Sequence, residues 1–219
     1  MGILRDGSRI CPDVRVTGLG LESKNVQLRT SETDPIRVDF LPESIHGLVG
    51  AIGITLAPGK RDVSNGWLRD LETDVARLRA HYQADCLVSL MEPSEFATLG
   101  ISELGECALA NGIQLIVFPI ADMHPPYDRD RNAFIELVKG IIGAAGAGQC
   151  VVIHCRAGVG RSGLVGASVL VARGIPAAEA INVVRTVRSS KAVETAEQRA
   201  WVESFEGVFG PDTVHCVGI

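Results

Sequence analysis

Long hydrophobic runs, aromatic residues and an excess of basic charge are all lacking in this sequence of 219 residues. The longest apolar stretch, residues 47–58, has about 12 residues and is too short to span a bilayer. Aromatic residues make up 5% of the chain, so a protein that stacks nucleic-acid bases on aromatic side chains is not expected. Lys and Arg number 21 against 26 Asp and Glu, and the net charge of −5 argues against general nucleic-acid binding.

Paired cysteine motifs are absent as well. No Cys-x-x-Cys occurs, and a chain of this length can bury a core large enough to fold without disulfides. The six scattered cysteines are Cys11, Cys86, Cys107, Cys150, Cys155 and Cys216. We expect a reduced, cytoplasmic setting in which most of these thiols pack as small hydrophobic side chains. The first residues show no basic segment followed by an apolar one, so no signal peptide is predicted.

What the sequence does contain is a regular alternation of short apolar runs and amphipathic segments. The apolar runs predict strands over residues 36–41, 48–56, 86–91, 114–119 and 150–154. Helical periodicity predicts helices over residues 66–82, 93–111, 131–145, 161–173, 177–189 and 195–209. This alternation predicts an α/β fold, with a central, mostly parallel sheet of about five strands flanked by helices on both faces.

The ends of the chain are harder to interpret than its middle. Residues 1–34 show only short apolar pieces, so we expect an N-terminal arm or a small hairpin there. The main domain is expected to span residues 35–210, and residues 211–219 are expected to form a short tail.

The segment 154–163, His-Cys-Arg-Ala-Gly-Val-Gly-Arg-Ser-Gly, joins the end of a buried strand to the start of a helix. Gly158 and Gly160 allow successive backbone N–H groups to point into one concavity at the positive end of the helix dipole. Such a concavity binds a phosphate-like dianion, and Arg161 can hold two of its oxygens. The residues predicted to bind substrate through this loop are Arg156, Ala157, Gly158, Val159 and Gly160.

Cys155 lies at the base of this predicted cradle. The helix dipole and the neighbouring positive charge favour its thiolate form, which is the nucleophilic form of cysteine. An anion-binding loop with a thiolate at its floor is typical of attack on phosphorus through a phosphocysteine intermediate. A structural role for the segment is less plausible, because Cys155, the two glycines and Arg161 occur together.

A thiolate cannot protonate the leaving oxygen, so a carboxylic acid on a second loop is expected. Asp122 follows the predicted strand 114–119 and is the preferred candidate, and Asp128 and Asp130 on the same loop are alternatives. The acid would then accept a proton from the water that hydrolyses the intermediate. Ser162 is placed to donate a hydrogen bond to the sulfur when it leaves.

These motifs carry a resemblance to a known family. Segment 154–163 is similar to the Cys-x5-Arg signature of the protein tyrosine phosphatase superfamily in its dual-specificity form. Residues 40–42 (FLP), 56–60 (LAPGK) and 118–122 (FPIAD) resemble pieces of the kinase-associated phosphatase (cyclin-dependent kinase inhibitor 3) family. The resemblance covers about residues 36–205 and implies a dual-specificity phosphatase-like fold.

The resemblance also implies a role for each residue of the site. Cys155 would be the nucleophile, Arg161 the phosphate binder, Asp122 the general acid and Ser162 the helper of the leaving thiolate. His154 would be the buried residue that orders the loop and tunes the thiol. The family needs neither a metal nor a cofactor, and the sequence shows no Cys or His cluster beside Cys155 that would bind a metal.

The chain departs from the family pattern in one functional segment. Related phosphatases often carry a glutamine in the segment 192–198, where it orients the attacking water. Here the first such position is Glu194, and Gln198 fits a second, supporting position. The positioning of water during hydrolysis is therefore left open by the sequence.

The sequence thus predicts a hydrolase that acts on phosphotyrosine in a phosphoprotein or phosphopeptide. Whether it also acts on phosphoserine and phosphothreonine depends on the depth of the pocket. No nucleic acid or membrane partner is expected, and no kinase partner is identified. One alternative keeps the mechanism but takes phosphoinositides, inositol phosphates or RNA 5′ ends. Arg156 beside the nucleophile favours such anionic substrates, although the acidic pI of about 5.6 argues against RNA. A second alternative is a binding module without turnover, to which only Glu194 points.

Charged residues elsewhere are less informative. Lys60 and Arg61 follow a turn and could steer an anionic substrate, but such a pair is usually only solvated. His124 could contact substrate, although an exposed loop histidine more often has no role. We therefore expect none of the three to belong to the site.

Overall fold

The structure is a computed structural model that describes residues 28–208. Its strands are β1 Asp39–Phe40, β2 Ile52–Thr55, β3 Arg61–Asp62, β4 Trp67–Leu68, β5 Ala84–Ser89, β6 Gln114–Val117 and β7 Cys150–His154. The central sheet has five strands in the order β1-β2-β7-β5-β6, and β3 pairs with β4 separately. β1 is antiparallel to β2, and the other neighbours in the sheet are parallel. The predicted α/β architecture is therefore confirmed.

Helices cover both faces of this sheet. They are α1 Glu43–His46, α2 Leu71–Tyr82, α3 Pro93–Thr98, α4 Leu104–Ala110, α5 Arg131–Gly146, α6 Arg161–Ala172, α7 Ala177–Val187 and α8 Ala196–Glu203. Val151 and Ile153 of β7 pack in the core cluster that includes residues of α5, α6, α7 and α8. Val152, which points to the other face, packs in the cluster that includes residues of α2 and α4. The alternation of side chains along β7 thus separates two hydrophobic cores.

The position of β7 in the middle of the sheet determines where the chemistry takes place. Its last residue, His154, lies in register with Thr55 at the end of β2 and with Ser89 at the end of β5. Because the carboxyl ends of parallel strands meet at one edge, the loops that follow β2, β5, β6 and β7 converge there. Each residue of the site described below comes from one of these loops or from an element packed over them.

The predicted helix over residues 66–82 starts later than expected. Residues 67–68 form β4 instead, and the helix begins at Leu71. Gly66 has φ of 79°, and the Asp70 side chain accepts a 2.8 Å hydrogen bond from the Thr73 N–H, which caps the helix. The apolar residues of β4, which pairs with β3 in a two-stranded ribbon, fitted the helical periodicity of the residues that follow. The predicted start of this helix is therefore wrong.

Other boundaries also differ from the prediction, and two of these differences change an element substantially. The helix expected over 93–111 is divided into α3 and α4, and Gly100 between them has φ of 65°. The strand expected over 36–41 is reduced to Asp39 and Phe40, since this edge strand has only β2 to pair with. Both corrections concern loop geometry and leave the order of the elements unchanged.

The expected N-terminal arm lies mostly outside the described residues, and so does the expected tail over 211–219. Within the described part, the Arg29 N–H donates to the Gly66 carbonyl at 2.8 Å, and Ser31 Oγ accepts from the Asp70 N–H at 2.9 Å. These contacts attach residues 28–34 to the start of α2. No helix within residues 28–208 is long and apolar enough to cross a membrane.

Candidate active site

The loop between β7 and α6 has its carbonyl groups bonded to donors around it. All five carbonyls from Arg156 to Gly160 accept a hydrogen bond. In loop order the donors are Ala57 N–H, the Arg188 guanidinium for two successive carbonyls, Val193 N–H and Leu164 N–H. On the N–H side of the loop, Gly158 donates to Cys155 Sγ and Gly160 donates to the Glu194 carboxylate, as N–H groups do in the anion-binding arrangement known as a nest.

Cys155 lies at the floor of this loop with only 3% of its surface exposed. Its Sγ accepts a hydrogen bond from the Gly158 N–H at 3.3 Å and lies 3.4 Å from Ser162 Oγ. The N-terminus of α6, which starts at Arg161, adds the positive end of its dipole. The structure therefore brings the sulfur, the serine hydroxyl and the N–H-lined loop together as the sequence predicts.

The two glycines of the loop lie close to neighbouring groups, and the backbone requires glycine at position 158. Gly158 has φ of 72°, and a Cβ there would collide with the Thr55 carbonyl group. At Gly160 a Cβ would collide with Oε2 of Glu194. A side chain at position 158 would push the loop away from β2, whereas the exposed Glu194 side chain is free to move away from one at position 160.

Arg161 is 1% exposed and is held by a partner that the sequence did not reveal. Its guanidinium makes a bidentate ion pair with Glu95, with N–O distances of 2.6 and 2.9 Å, and also donates to the Ile120 carbonyl at 3.0 Å. The buried Nε has no hydrogen-bond partner within residues 28–208. A fixed guanidinium with one free N–H is suited to bind an incoming oxyanion.

Glu95 belongs to α3, at the end of the loop that follows β5. Its Oε2 also accepts from the Glu92 N–H at 2.9 Å, so the same carboxylate caps the helix. In the sequence Glu95 resembled an ordinary acidic residue in the first turn of a helix, and this role gives no sign of a second partner such as Arg161. Nothing in the local pattern distinguishes such a residue from a plain cap.

Asp122 is the carboxylate of its loop that reaches the site. Its Oδ1 lies 3.0 Å from Nη2 of Arg161, and its side chain is 53% exposed. The neighbouring Met123 has φ of 63° and donates its N–H to the same Oδ1 at 3.1 Å. The alternatives, Asp128 and Asp130, lie in a 3₁₀ turn before α5, and the described contacts place neither of them at Arg161. The geometry thus favours Asp122 over both alternatives.

Glu194 and Gln198 occupy the other side of the cradle. The Glu194 carboxylate lies against Gly160. Partial desolvation and the negative charge of Asp122 raise the pKa of Glu194, and the Gly160 N–H opposes this shift. The buried Gln198 accepts from the Glu194 N–H at 2.8 Å and donates to the His124 carbonyl at 3.3 Å. Gln198 therefore braces the Asp122 loop, and a carboxyl group faces the cradle at the first glutamine position.

Two further predicted residues are constrained by their neighbours. His154 is fully buried at the end of β7, and burial lowers its pKa to about 4, so the ring is neutral at pH 7. The Arg156 guanidinium forms a 2.9 Å ion pair with Asp62 of β3. The positive charge of the Arg156 side chain is thus partly neutralised by Asp62. Arg156 contributes to the cradle through its backbone.

One expectation about charged residues is wrong. Lys60 is only 6% exposed, because the ribbon formed by β3 and β4 places its Nζ 5.0 Å from the ring centroid of Trp67. Arg61 and His124 are exposed as expected. The sequence could not show the burial of Lys60, since the predicted helix over residues 66–82 included β4 and the pairing of β3 with β4 was not predicted.

Arg188 is a second residue that the sequence did not reveal. It donates through Nε to the Gly158 carbonyl at 2.8 Å and through Nη2 to the Ala157 carbonyl at 3.1 Å. Its Nη1 forms a 2.6 Å ion pair with Asp39 of β1. Arg188 thereby fixes the orientation of two peptide groups of the cradle. It follows α7 with no motif around it that signals this contact.

Comparisons with known proteins identify relatives of this chain. A family model described as "Polymorphic toxin system, DSP-PTPase phosphatase" matches residues 71–175. Cyclin-dependent kinase inhibitor 3 of Rattus norvegicus is 25% identical over 198 residues, which cover 89% of this chain and 90% of the rat protein. The crystal structure of kinase associated phosphatase (KAP) with its catalytic site cysteine substituted by serine has a TM-score of 0.73 at 23% identity, covering 80% of this chain and 96% of that one.

A solved structure at higher identity extends the likeness beyond the fold. Tk-PTP, in a glycine-to-alanine mutant form, is 30% identical, with a TM-score of 0.56, and the match covers 72% of this chain and 90% of that one. The expected resemblance to dual-specificity phosphatases is thus confirmed. The chain belongs to the dual-specificity phosphatase superfamily and is a cysteine-based phosphatase, a hydrolase.

Proposed function

We propose that the protein hydrolyses phosphate monoesters of phosphoproteins through a phosphocysteine intermediate, with phosphotyrosine as its first substrate class. The observation that carries this proposal is the engaged set of five loop carbonyls around Cys155, which leaves an anion cradle above the sulfur. We place the activity in the domain over residues 35–210. The chemistry requires a reduced thiol, so we keep the expectation of a cytoplasmic setting.

In the first step the Cys155 thiolate attacks phosphorus while the bond to the leaving oxygen breaks. The loop N–H groups and Arg161 hold the phosphoryl oxygens and neutralise the charge that moves onto them. Asp122 in its protonated form gives its proton to the leaving oxygen. Its Oδ1 lies 3.0 Å from the guanidinium that would hold the phosphate, which supports this role.

In the second step water attacks the phosphocysteine and the P–S bond breaks. The Asp122 carboxylate accepts the proton of this water, which restores the acid for the next cycle. The Ser162 hydroxyl, 3.4 Å from the sulfur, donates to it as negative charge returns. Gln198 supports this step by bracing the loop that carries Asp122.

The surface beside the acid favours a peptide substrate. Met123 and Tyr127, on the same loop as Asp122, are 49% and 54% exposed. Exposed apolar and aromatic groups of this kind provide contact area for the side chains that flank a phosphorylated residue.

The test is phosphate release from matched phosphotyrosine and phosphothreonine peptides, without added metal and with Cys155→Ser as the control. Phosphate release from either peptide supports the proposal if Cys155→Ser abolishes it. The peptide that is hydrolysed identifies the class of phosphorylated residue that the site accepts. Release only from inositol phosphates, phosphoinositide vesicles or 5′-phosphorylated RNA would assign the same mechanism to a different substrate. No release from any of them would contradict hydrolysis at this site.

We expect Glu95→Gln to lower kcat/KM for 4-nitrophenyl phosphate by about 100-fold, the cost of displacing a positioning group by about an ångström. The neutral amide cannot hold Arg161 with two charge-assisted bonds, so the guanidinium loses its fixed orientation. Glu103→Gln, at an exposed position before α4, serves as the control. A Glu95→Gln enzyme within threefold of the parent would show that Arg161 does not need this partner.

We expect sulfate inhibition to weaken with rising pH in the parent enzyme and to weaken less in Glu194→Gln. Below its pKa the Glu194 carboxyl is neutral, and above it a negative charge faces the anion cradle beside Asp122. Because the pKa of Glu194 is raised, its change from neutral to negative occurs closer to neutral pH. Since sulfate keeps its charge throughout, the inhibition constants should differ by about threefold at the alkaline end, as for a partly screened charge.

The matched control for this pH experiment is Glu197→Gln. Glu197 is exposed in the first turn of α8, so its removal changes the net charge equally without touching the cradle. Identical pH profiles for the parent and Glu194→Gln would mean that Glu194 does not repel the bound anion.

A further inference from the structure

The segment that carries Lys60, in the turn after β2, contacts the residue that follows the nucleophile on both sides of the lysine. The Ala57 N–H donates to the Arg156 carbonyl, and the Arg156 guanidinium pairs with Asp62 at 2.9 Å. Lys60 lies between Ala57 and Asp62 in the chain, so both of its flanks contact Arg156. The turn is therefore part of the wall of the site that contains Cys155.

A buried ion pair holds this turn in one conformation. Arg69 and Asp74, whose side chains are each 1% exposed, are 2.7 Å apart, and Asp74 also accepts from the Gly59 N–H at 2.9 Å. Gly59 has φ of 71°, and a Cβ there would collide with Leu71. Lys60 is thus presented by a rigid support and not by a mobile surface loop.

The charge of Lys60 has no ion-pair partner in the described part of the chain, and its Nζ faces the Trp67 ring at 5.0 Å. Within residues 28–208 its ammonium makes neither a hydrogen bond nor an ion pair, although 94% of the residue is shielded from water, as its 6% exposure shows. The nearby Asp62 is engaged by Arg156, and Arg29 adds a further positive charge on the Trp67 ring at 3.9 Å. Burial lowers the pKa of Lys60, an effect that Asp62 opposes. A partly desolvated cation without a counter-ion is costly, and its Nζ, which is not fully enclosed, remains accessible to an arriving anion that would lower this cost.

We propose that Lys60 is a substrate-binding residue, whose ammonium binds the phosphate dianion held above Cys155. The inference rests on the proposed function and adds a second cation to the cradle, which comes from a different part of the fold than Arg161. Arg161 comes from the helix after β7, whereas Lys60 comes from the turn after β2. Two cations favour a doubly charged monoester over a singly charged diester, so the residue also contributes to substrate class.

The test measures anion binding at Cys155 without requiring turnover. Alkylation of Cys155 by neutral iodoacetamide is followed at increasing sulfate concentrations, and the modified cysteine is identified by peptide mass spectrometry. Protection by sulfate gives its dissociation constant. We expect Lys60→Met to weaken sulfate binding by about tenfold or more, as for the loss of a charge-assisted hydrogen bond. We also expect Lys60→Arg to retain most of the affinity.

A second readout uses the charge of the alkylating reagent. The rate with anionic iodoacetate relative to iodoacetamide reports the positive field at the sulfur, and we expect Lys60→Met to lower this ratio. Lys139→Met removes one charge from α5, where Lys139 pairs with Glu136 at an exposed position, and should change neither measurement. The unfolding temperature of Lys60→Met should not fall, because an unpaired buried charge is removed.

The outcomes separate this inference from the proposed function. Unchanged sulfate affinity and unchanged reagent preference in Lys60→Met would overturn the role of Lys60, even if Cys155→Ser abolishes turnover. A lower unfolding temperature with unchanged sulfate affinity would mean that Lys60 is structural. If Cys155→Ser retains full turnover, the proposed function fails whatever Lys60 does.

Discussion

Cys155→Ser is expected to abolish phosphate release while leaving phosphopeptide binding intact. The serine hydroxyl is a weak nucleophile, and the partners of this side chain within residues 28–208, the Gly158 N–H and the Ser162 hydroxyl, are not general bases. We expect kcat to fall by about four orders of magnitude or more, as for the loss of other covalent nucleophiles. The loop N–H groups and Arg161 are untouched, so titration calorimetry should give a dissociation constant for phosphopeptide close to the parent value.

Cys150→Ser is the matched control, because it makes the same atomic change at the other end of β7. Cys150 is 8% exposed, and burial raises its pKa to about 11, so it is an unreactive core thiol. Its substitution should affect stability more than kcat. Undiminished phosphate release by Cys155→Ser would contradict the covalent mechanism, and loss of phosphopeptide binding would place the anion site elsewhere.

The residues that the sequence identified well share one physical property. Cys155, Gly158, Arg161 and Ser162 belong to one strand–loop–helix segment, so their mutual positions follow from local geometry. The order of strands and helices was equally accessible, because hydrophobic periodicity reflects which faces are buried. This is why the mostly parallel sheet and the cradle could be predicted before any coordinates.

The residues that the sequence missed depend on contacts between distant segments. Glu95 is 66 positions away from Arg161 along the chain, and Arg188 is 30 positions away from Gly158. Neither has a motif, since an acidic residue near a helix start or an arginine after a helix is common. Lys60 was predicted to be solvated because a charged pair after a turn usually is, and the pairing of β3 with β4 beside it was not predicted. Tertiary packing, which periodicity does not specify, decides all three.

Asp122→Asn is expected to lower kcat by an amount that depends on the leaving group. The amide fits the same space but cannot give a proton to the departing oxygen, and general acid catalysis contributes about 10²–10⁴-fold. A phosphothreonine peptide, whose alkoxide is a poor leaving group, should lose the full amount. 4-Nitrophenyl phosphate, whose leaving group needs little protonation, should lose much less. Steady-state kinetics on both substrates measures the difference.

Asp128→Asn and Asp130→Asn are the controls for this prediction, because both lie on the same loop and neither contacts Arg161 in the described contacts. Sulfate affinity should persist or improve in Asp122→Asn, since a negative charge beside the cradle is lost. A kcat loss that is equal for both substrates would mean that Asp122 only positions Arg161. A loss in Asp128→Asn or Asp130→Asn that follows the leaving group would transfer the role of the acid to that residue, and the contact at Arg161 would then describe a loop position that changes when substrate binds.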